Sequence, residues 1–253
     1  MSGVIALHGG GEFQPGDERF LAAILEAAAG RATSDGERPI RIAVVPTAAA
    51  AHRPELSGAH GVSAFERVAA AAGRPVAARA VLIVDARSAA DPTLASEVAS
   101  ADLVYLPGGD PGVIPRLLPD TAALHAIVSA RDAGAVVAGA SAGAMALGPL
   151  TWTPDGVARG LDFVPGVAVM PHADAATWAS ALQRYGALLP AGMGLLGLAE
   201  RTGVLIHDAE PGRRHAAVWR VVGEGTVRWL APGASQPLLA TDGETIEPST
   251  GAD

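Results

Sequence analysis

The chain contains no cysteine, and that absence removes disulfide bonds, thiolate metal sites and a cysteine nucleophile together. It also lacks any apolar run near the ~20 residues that a membrane helix needs, and its N-terminus has no basic region leading into a long apolar core. A soluble, unexported, cytoplasmic protein with no membrane partner is therefore expected. Basic charge is in deficit: Lys plus Arg number 18 against 26 Asp plus Glu, for a formal net charge of -8. That balance argues against a nucleic-acid binder and favours neutral or cationic substrates. No internal repeat or low-complexity tract interrupts the 253 residues, and a hydrophobic content of 49% is sufficient for one large α/β domain. The reading places that domain at residues 1–232 and a poorly packed C-terminal tail at 233–253.

Short β-rich runs recur at 4–7, 40–46, 80–84, 103–106 and 135–139, separated by alanine-rich segments of helical length at 17–29, 63–72, 92–100 and 121–133. Strand alternating with helix implies a mostly parallel, doubly wound sheet of flavodoxin-like type, with Ser63 and Thr121 as helix N-caps. Shorter strands follow at 167–170, 204–207, 217–222 and 226–230, with one helix at 174–188 and Gly223-Glu224-Gly225 as the turn of a C-terminal β-hairpin. Segment 31–38 is rich in polar and turn-forming residues and reads as a loop, while 48–61 and 151–160 show no clear periodicity and are candidates to border the active-site cleft. In open α/β sheets functional groups collect beyond the carboxyl ends of the strands. Three glycine-bearing loops fall there: Gly9-Gly10-Gly11-Glu12, Pro107-Gly108-Gly109-Asp110, and the stretch around Ser141.

That last stretch, AVVAGASAGAMALGPL from Ala135 to Leu150, carries the strongest chemical signal. Gly139, Ser141 and Gly143 fit the GxSxG nucleophile elbow, in which a sharp strand-to-helix turn lifts the serine hydroxyl out of the sheet edge. The competing interpretation is close helix-on-strand packing through small residues in an alanine-rich chain. A serine nucleophile needs a base, and the base needs an orienting acid. His172, after the strand at 167–170, is the foremost base, with His8 second and His52, His60, His125, His207 and His215 in less constrained places. Glu200 is a candidate acid, with Asp162, Asp174 and Asp208 as rivals. The backbone N–H groups of Ala142 and Gly109 are candidate oxyanion donors. Gly10, Gly108 and Asp110 are candidate substrate contacts. The GGGE loop lacks the P-loop lysine and the GxGxxG spacing, which argues against a nucleotide site.

Four stretches, LHGGGEF, YLPGGDPGVIPRLL, AGASAGAMALGP and LDFVPGVAVMPHAD, together with GLLGLAERTGVLI and AVWRVVGEGTVRWL, resemble in order the serine peptidases of the cyanophycinase and dipeptidase E family. The resemblance implies a class I glutamine amidotransferase-like fold. By it Ser141 is the nucleophile, His172 the base and Glu200 the acid, with Gly109 and Ala142 forming the oxyanion hole. It implies a short peptide or isopeptide substrate, no metal or organic cofactor, and a homodimer. The chain departs from cyanophycinases where Pro111 follows Asp110, and where Ala173, Asp174, Ala175 and Ala176 replace a phenylalanine and arginines after the histidine. These departures argue against cleavage of the aspartate-arginine polymer itself. For an aspartate pocket of the dipeptidase E kind, Arg116 and Arg159 are the candidate cations. Two other readings remain at this point: a noncatalytic small-molecule-binding protein on the same fold, and a serine esterase or amidase.

Overall fold

The computed structural model describes residues 3–34, 38–207 and 218–248. Its elements run β1 (Ile5–His8), α1 (Glu18–Ser34), β2 (Ile40–Val44), α2 (Pro54–Ala71), β3 (Val76–Ala80), α3 (Ala86–Ala89), α4 (Pro92–Ala99), β4 (Leu103–Leu106), α5 (Val113–Leu117), α6 (Ala122–Asp132), β5 (Val136–Ala140) and α7 (Ala142–Leu147). There follow β6 (Leu150–Thr153), β7 (Gly156–Arg159), β8 (Val167–Met170), α8 (Ala175–Tyr185), β9 (Gly194–Leu198), β10 (Thr202–His207), β11 (Val218–Gly223), β12 (Val227–Leu230), β13 (Leu238–Ala240) and β14 (Thr245–Ile246).

An eight-stranded sheet in the order β14-β11-β10-β1-β5-β4-β2-β3 forms the centre. From β3 to β1 the strands are parallel, and β10, β11 and β14 extend the sheet antiparallel. The flavodoxin-like, amidotransferase-like α/β architecture expected from the sequence is the one observed. Period-2 alternation splits the core: Leu103 and Tyr105 face the layer built on α1 and α2, with Phe20 and Phe65. Val104 and Leu106 face the opposite layer, with Ile127 of α6. Strands β1, β4 and β5 are buried along their whole length, which is why they read in sequence as unbroken apolar runs rather than alternating ones.

Several expectations need correction. Helix α2 begins at Pro54, not Ser63; proline at the first helical position needs no N–H partner there, so the aperiodic-looking 54–62 is helical and Ser63 lies inside the helix. Thr121 does cap α6, accepting from Leu124 N at 3.3 Å. The third strand is Val76–Ala80 rather than 80–84, because it is the sheet edge and carries mostly small, half-exposed residues. Segment 151–160 is largely the β6–β7 hairpin. Residues 31–34 continue α1, while 35–37 of the expected loop lie outside the described residues.

A second sheet, ordered β13-β12-β9-β8, was not expected. It overturns the C-terminal hairpin, since β11 pairs in the large sheet and β12 in the small one. Gly223-Glu224-Gly225 is a crossover pinned to the segment that leads into β10: Glu224 N donates to Arg201 O at 3.1 Å, and Gly225 N to Thr202 Oγ1 at 2.6 Å. Trp219 and Trp229 then meet edge to face, ring centroids 4.9 Å apart, and tie the two sheets together. The tail from 233 supplies one strand to each sheet, burying Ala240 and Ile246.

Candidate active site

Strand β5 lies between β4 and β1, so the loops leaving their carboxyl ends converge on one point. Ser141 stands there. It follows Ala140 directly and starts α7 with φ 49° and ψ −112°, a sparsely populated conformation for a residue with a β-carbon. The flanking glycines permit the turn by steric necessity. A β-carbon on Gly139 would lie 2.5 Å from the Gly143 carbonyl carbon, and one on Gly143 would lie 2.0 Å from Leu106 O. Helix and strand therefore touch at backbone distance, and the GxSxG spacing is the record of that contact.

His172 and Glu200 arrive from the small sheet. Each lies two residues beyond a strand end, and β8 and β9 run parallel with Met170 opposite Gly197, so both side chains emerge at the same end. Ser141 Oγ lies 3.0 Å from His172 Nε2, and His172 Nδ1 lies 2.9 Å from Glu200 Oε1. A carboxylate can only accept, so Nδ1 carries the proton and Nε2 is left to accept from the serine hydroxyl. The His172 and Glu200 side chains are 45% and 55% exposed, so the arrangement opens to solvent.

The end of β1 is the strip on which all three docking segments rest. Ser141 N donates to His8 O at 2.9 Å, His172 N to Gly9 O at 2.8 Å, and Arg201 N, next to Glu200, to Gly10 O at 2.8 Å. His172 and Arg201 both adopt φ 53°. The imidazole lies directly on Gly10, where a β-carbon would come within 2.3 Å of His172 Cε1. The GGGE loop thus packs against the histidine.

Gly108 lies beside Ser141, with its N–H donating to Glu12 Oε1 at 2.7 Å, and the next residue, Gly109, packs on the Ala48 backbone. Among the described residues, Gly109 N and Ala142 N donate to no other protein atom, which leaves both available to a third party. Asp110 N is held by Ala48 O, and Asp110 Oδ1 accepts from Gly112 N at 2.8 Å. Arg116 and Arg159 are exposed at the end of short elements.

The rivals take other places. His8 is fully buried, with Nε2 3.0 Å from Asp17 Oδ1. Asp174 caps α8 by accepting from Thr177 N at 2.8 Å, and that bond holds its carboxyl below the usual range. Asp162 and His52, His60, His125 and His207 are exposed and outside the Ser141 hydrogen-bond chain. Asp208 and His215 lie outside the described residues. Glu12 is the site residue that the sequence reading passed over; its one signal was an acid closing a glycine loop at a strand end. Among the described residues no cluster of three His, Asp or Glu is arranged to hold a metal ion, and no helix is long and apolar enough to cross a membrane.

Comparison with known proteins agrees with this fold. A crystal structure of a peptidase from an acI-B1 Actinobacterium superposes with a TM-score of 0.74 at 24% identity, covering 98% of this chain and 97% of that one. A putative peptidase E protein from Listeria monocytogenes EGD-e gives a TM-score of 0.55 at 14% identity, covering 88% and 98% respectively. No curated protein sequence matches. The model of peptidase family S51 matches residues 5–211, which include Ser141, His172 and Glu200. The chain belongs to peptidase family S51, the family of cyanophycinase and dipeptidase E.

Proposed function

We propose that this protein is a serine peptidase that hydrolyses short peptides, as an exopeptidase or isopeptidase, through Ser141, His172 and Glu200. The observation that carries this reading is the unbroken hydrogen-bond chain from Ser141 Oγ through the imidazole to the Glu200 carboxylate. Ser141 Oγ attacks the scissile carbonyl carbon while its proton passes to His172 Nε2. The resulting oxyanion is received by the N–H groups of Ala142 and Gly109, and Glu200 stays ionised against the imidazolium. His172 then gives the proton to the leaving amine as the C–N bond breaks, and an acyl group remains on Ser141. Water, deprotonated by the same imidazole, attacks the acyl carbon and returns the serine hydroxyl and a free carboxylate. No step calls for a metal or an organic cofactor.

The test is release of products from a mixed dipeptide and isopeptide library, combined with fluorophosphonate labelling. Ser141→Ala should lose about 10⁴-fold or more in kcat, as removal of a triad nucleophile does elsewhere. Labelling should map to Ser141 and vanish in His172→Ala. A Ser141→Ala variant that cleaves at the wild-type rate would refute the mechanism, and absence of labelling in folded wild type would point to a binding protein instead.

A further inference from the structure

Glu12 is held beside the nucleophile by more structure than a loop residue needs. Its Oε1 accepts from Gly108 N at 2.7 Å. The position a Gly108 β-carbon would take lies 2.7 Å from that same oxygen and 3.1 Å from Ser141 Cβ, so carboxylate and nucleophile border one small space. The next residue, Phe13, is locked at φ 66°. Its N–H donates to buried Asp17 Oδ2 at 2.8 Å, and Asp17 Oδ1 rests 3.0 Å from the buried His8 Nε2. The Phe13 ring is wedged against Tyr105 and Phe65, at centroid distances of 5.4 and 6.5 Å. A buried ionisable pair and a strained residue are costly. Here both immobilise the backbone that presents Glu12.

What Glu12 lacks is a cation. It is half-buried, and among the described residues no Arg or His forms an ion pair with it. A half-buried carboxylate satisfied on one oxygen only retains acceptor capacity for a charged donor. The charge that fits is set by the reaction geometry. When a peptide carbonyl sits over Ser141 Oγ with its oxygen toward Ala142 and Gly109, the α-nitrogen of the same residue is two bonds from the attacked carbon, within reach of groups bordering the nucleophile.

Resting on the serine peptidase reading above, we infer that Glu12 is a specificity-determining residue that binds the free, positively charged α-amino group of the residue whose carbonyl Ser141 attacks. The substrate is then a peptide cleaved after its unblocked N-terminal residue. An internal or N-acylated residue, whose α-nitrogen is a neutral amide, does not satisfy the carboxylate.

The probes are a matched pair, the boronic acid analogue of alanine with a free amino group and its N-acetyl derivative. Each is scored by how far it slows fluorophosphonate labelling of Ser141. Wild type should bind the free-amine form about 10- to 100-fold more tightly, the usual scale for a charge-assisted bond in a partly buried site. Glu12→Gln keeps an acceptor for Gly108 N but removes the charge, and should reduce that ratio to within about threefold. Equal binding of the two forms by wild type, no protection by the free-amine form, or an undiminished ratio in Glu12→Gln would each overturn the inference while leaving the peptidase reading intact. The wild-type comparison needs no variant to fold. Loss of Ser141 labelling itself would overturn both.

Discussion

Replacing Gly10 by alanine should disable the protein with little effect on its fold, and the reason is a single distance. A β-carbon there would lie 2.3 Å from His172 Cε1 and 2.9 Å from both ring nitrogens, whereas non-bonded carbons rest at about 3.5–4.0 Å. The Gly10 backbone is tied down on both sides, since Gly9 O and Gly10 O accept from His172 N and Arg201 N. The ring must therefore retreat by about 1 Å or more, and either direction of escape stretches one of two contacts now at 3.0 and 2.9 Å. Misplacement on that scale costs about 10²-fold in rate, or roughly 2.7 kcal/mol of barrier. Gly10 also sits at φ 109°, so alanine brings a backbone penalty of about 1–3 kcal/mol. Gly73 separates the two effects: it has φ 63° with nothing within 4 Å of its would-be β-carbon. Both variants should lower Tm by a few degrees, and only Gly10→Ala should lose kcat on the peptide substrate, with KM nearly unchanged. Gly10→Ala with kcat within about threefold of wild type, or Gly73→Ala with an equal loss, would refute the steric reasoning.

Glu200→Gln should lower kcat by about 10²- to 10⁴-fold, because a neutral amide neither fixes the Nδ1–H tautomer nor balances the imidazolium; stopped-flow acylation by an activated ester checks it. At the opposite end of the sheet, burial alone would raise the Asp102 carboxyl. The Arg38 hydrogen bond at 2.8 Å, the Arg41 N–H and the nearby guanidinium charges outweigh burial and hold it below the usual range. Since its folded pKa is depressed, this stabilisation is complete above the unfolded value of about 3.9 and is lost as pH falls through the lower folded value. Asp102→Asn should therefore cost about 2–3 kcal/mol at pH 7, less than a fully buried pair because the arginines are partly exposed. In chemical denaturation the gap between variant and wild type should narrow only below about pH 4.

Local sequence was sufficient wherever the physics is local. The strands at 103–106 and 167–170 stand where their apolar runs place them, because burial on both faces demands continuous hydrophobicity. Thr121 caps its helix, as a side-chain oxygen two or three residues from an orphan N–H must. The elbow was legible because Gly139 answers to the close approach of Gly143 in the next element of the chain, although Gly143 also meets Leu106 O of the distant β4. Strand β9, Gly194–Leu198, was invisible: glycine and leucine carry little strand signal, and it is a strand because β8 and β12 flank it. The hairpin failed for the same reason, since alternation in 218–223 and 227–230 is the same whether the strands pair with each other or with different sheets.

The site divides in the same way. Sequence alone pointed to Ser141 at a strand-to-helix turn, to His8 at the end of one strand and to His172 just beyond another. Tertiary structure determined which histidine the serine meets, burying His8 against Asp17 and setting His172 between Ser141 and Glu200. It also brought Glu12 to Gly108, 96 positions away in the chain. Periodicity records whether a residue is buried. Bringing two groups to within 3 Å depends on which strands pair and in what register, and that is settled by the packing of the whole sheet.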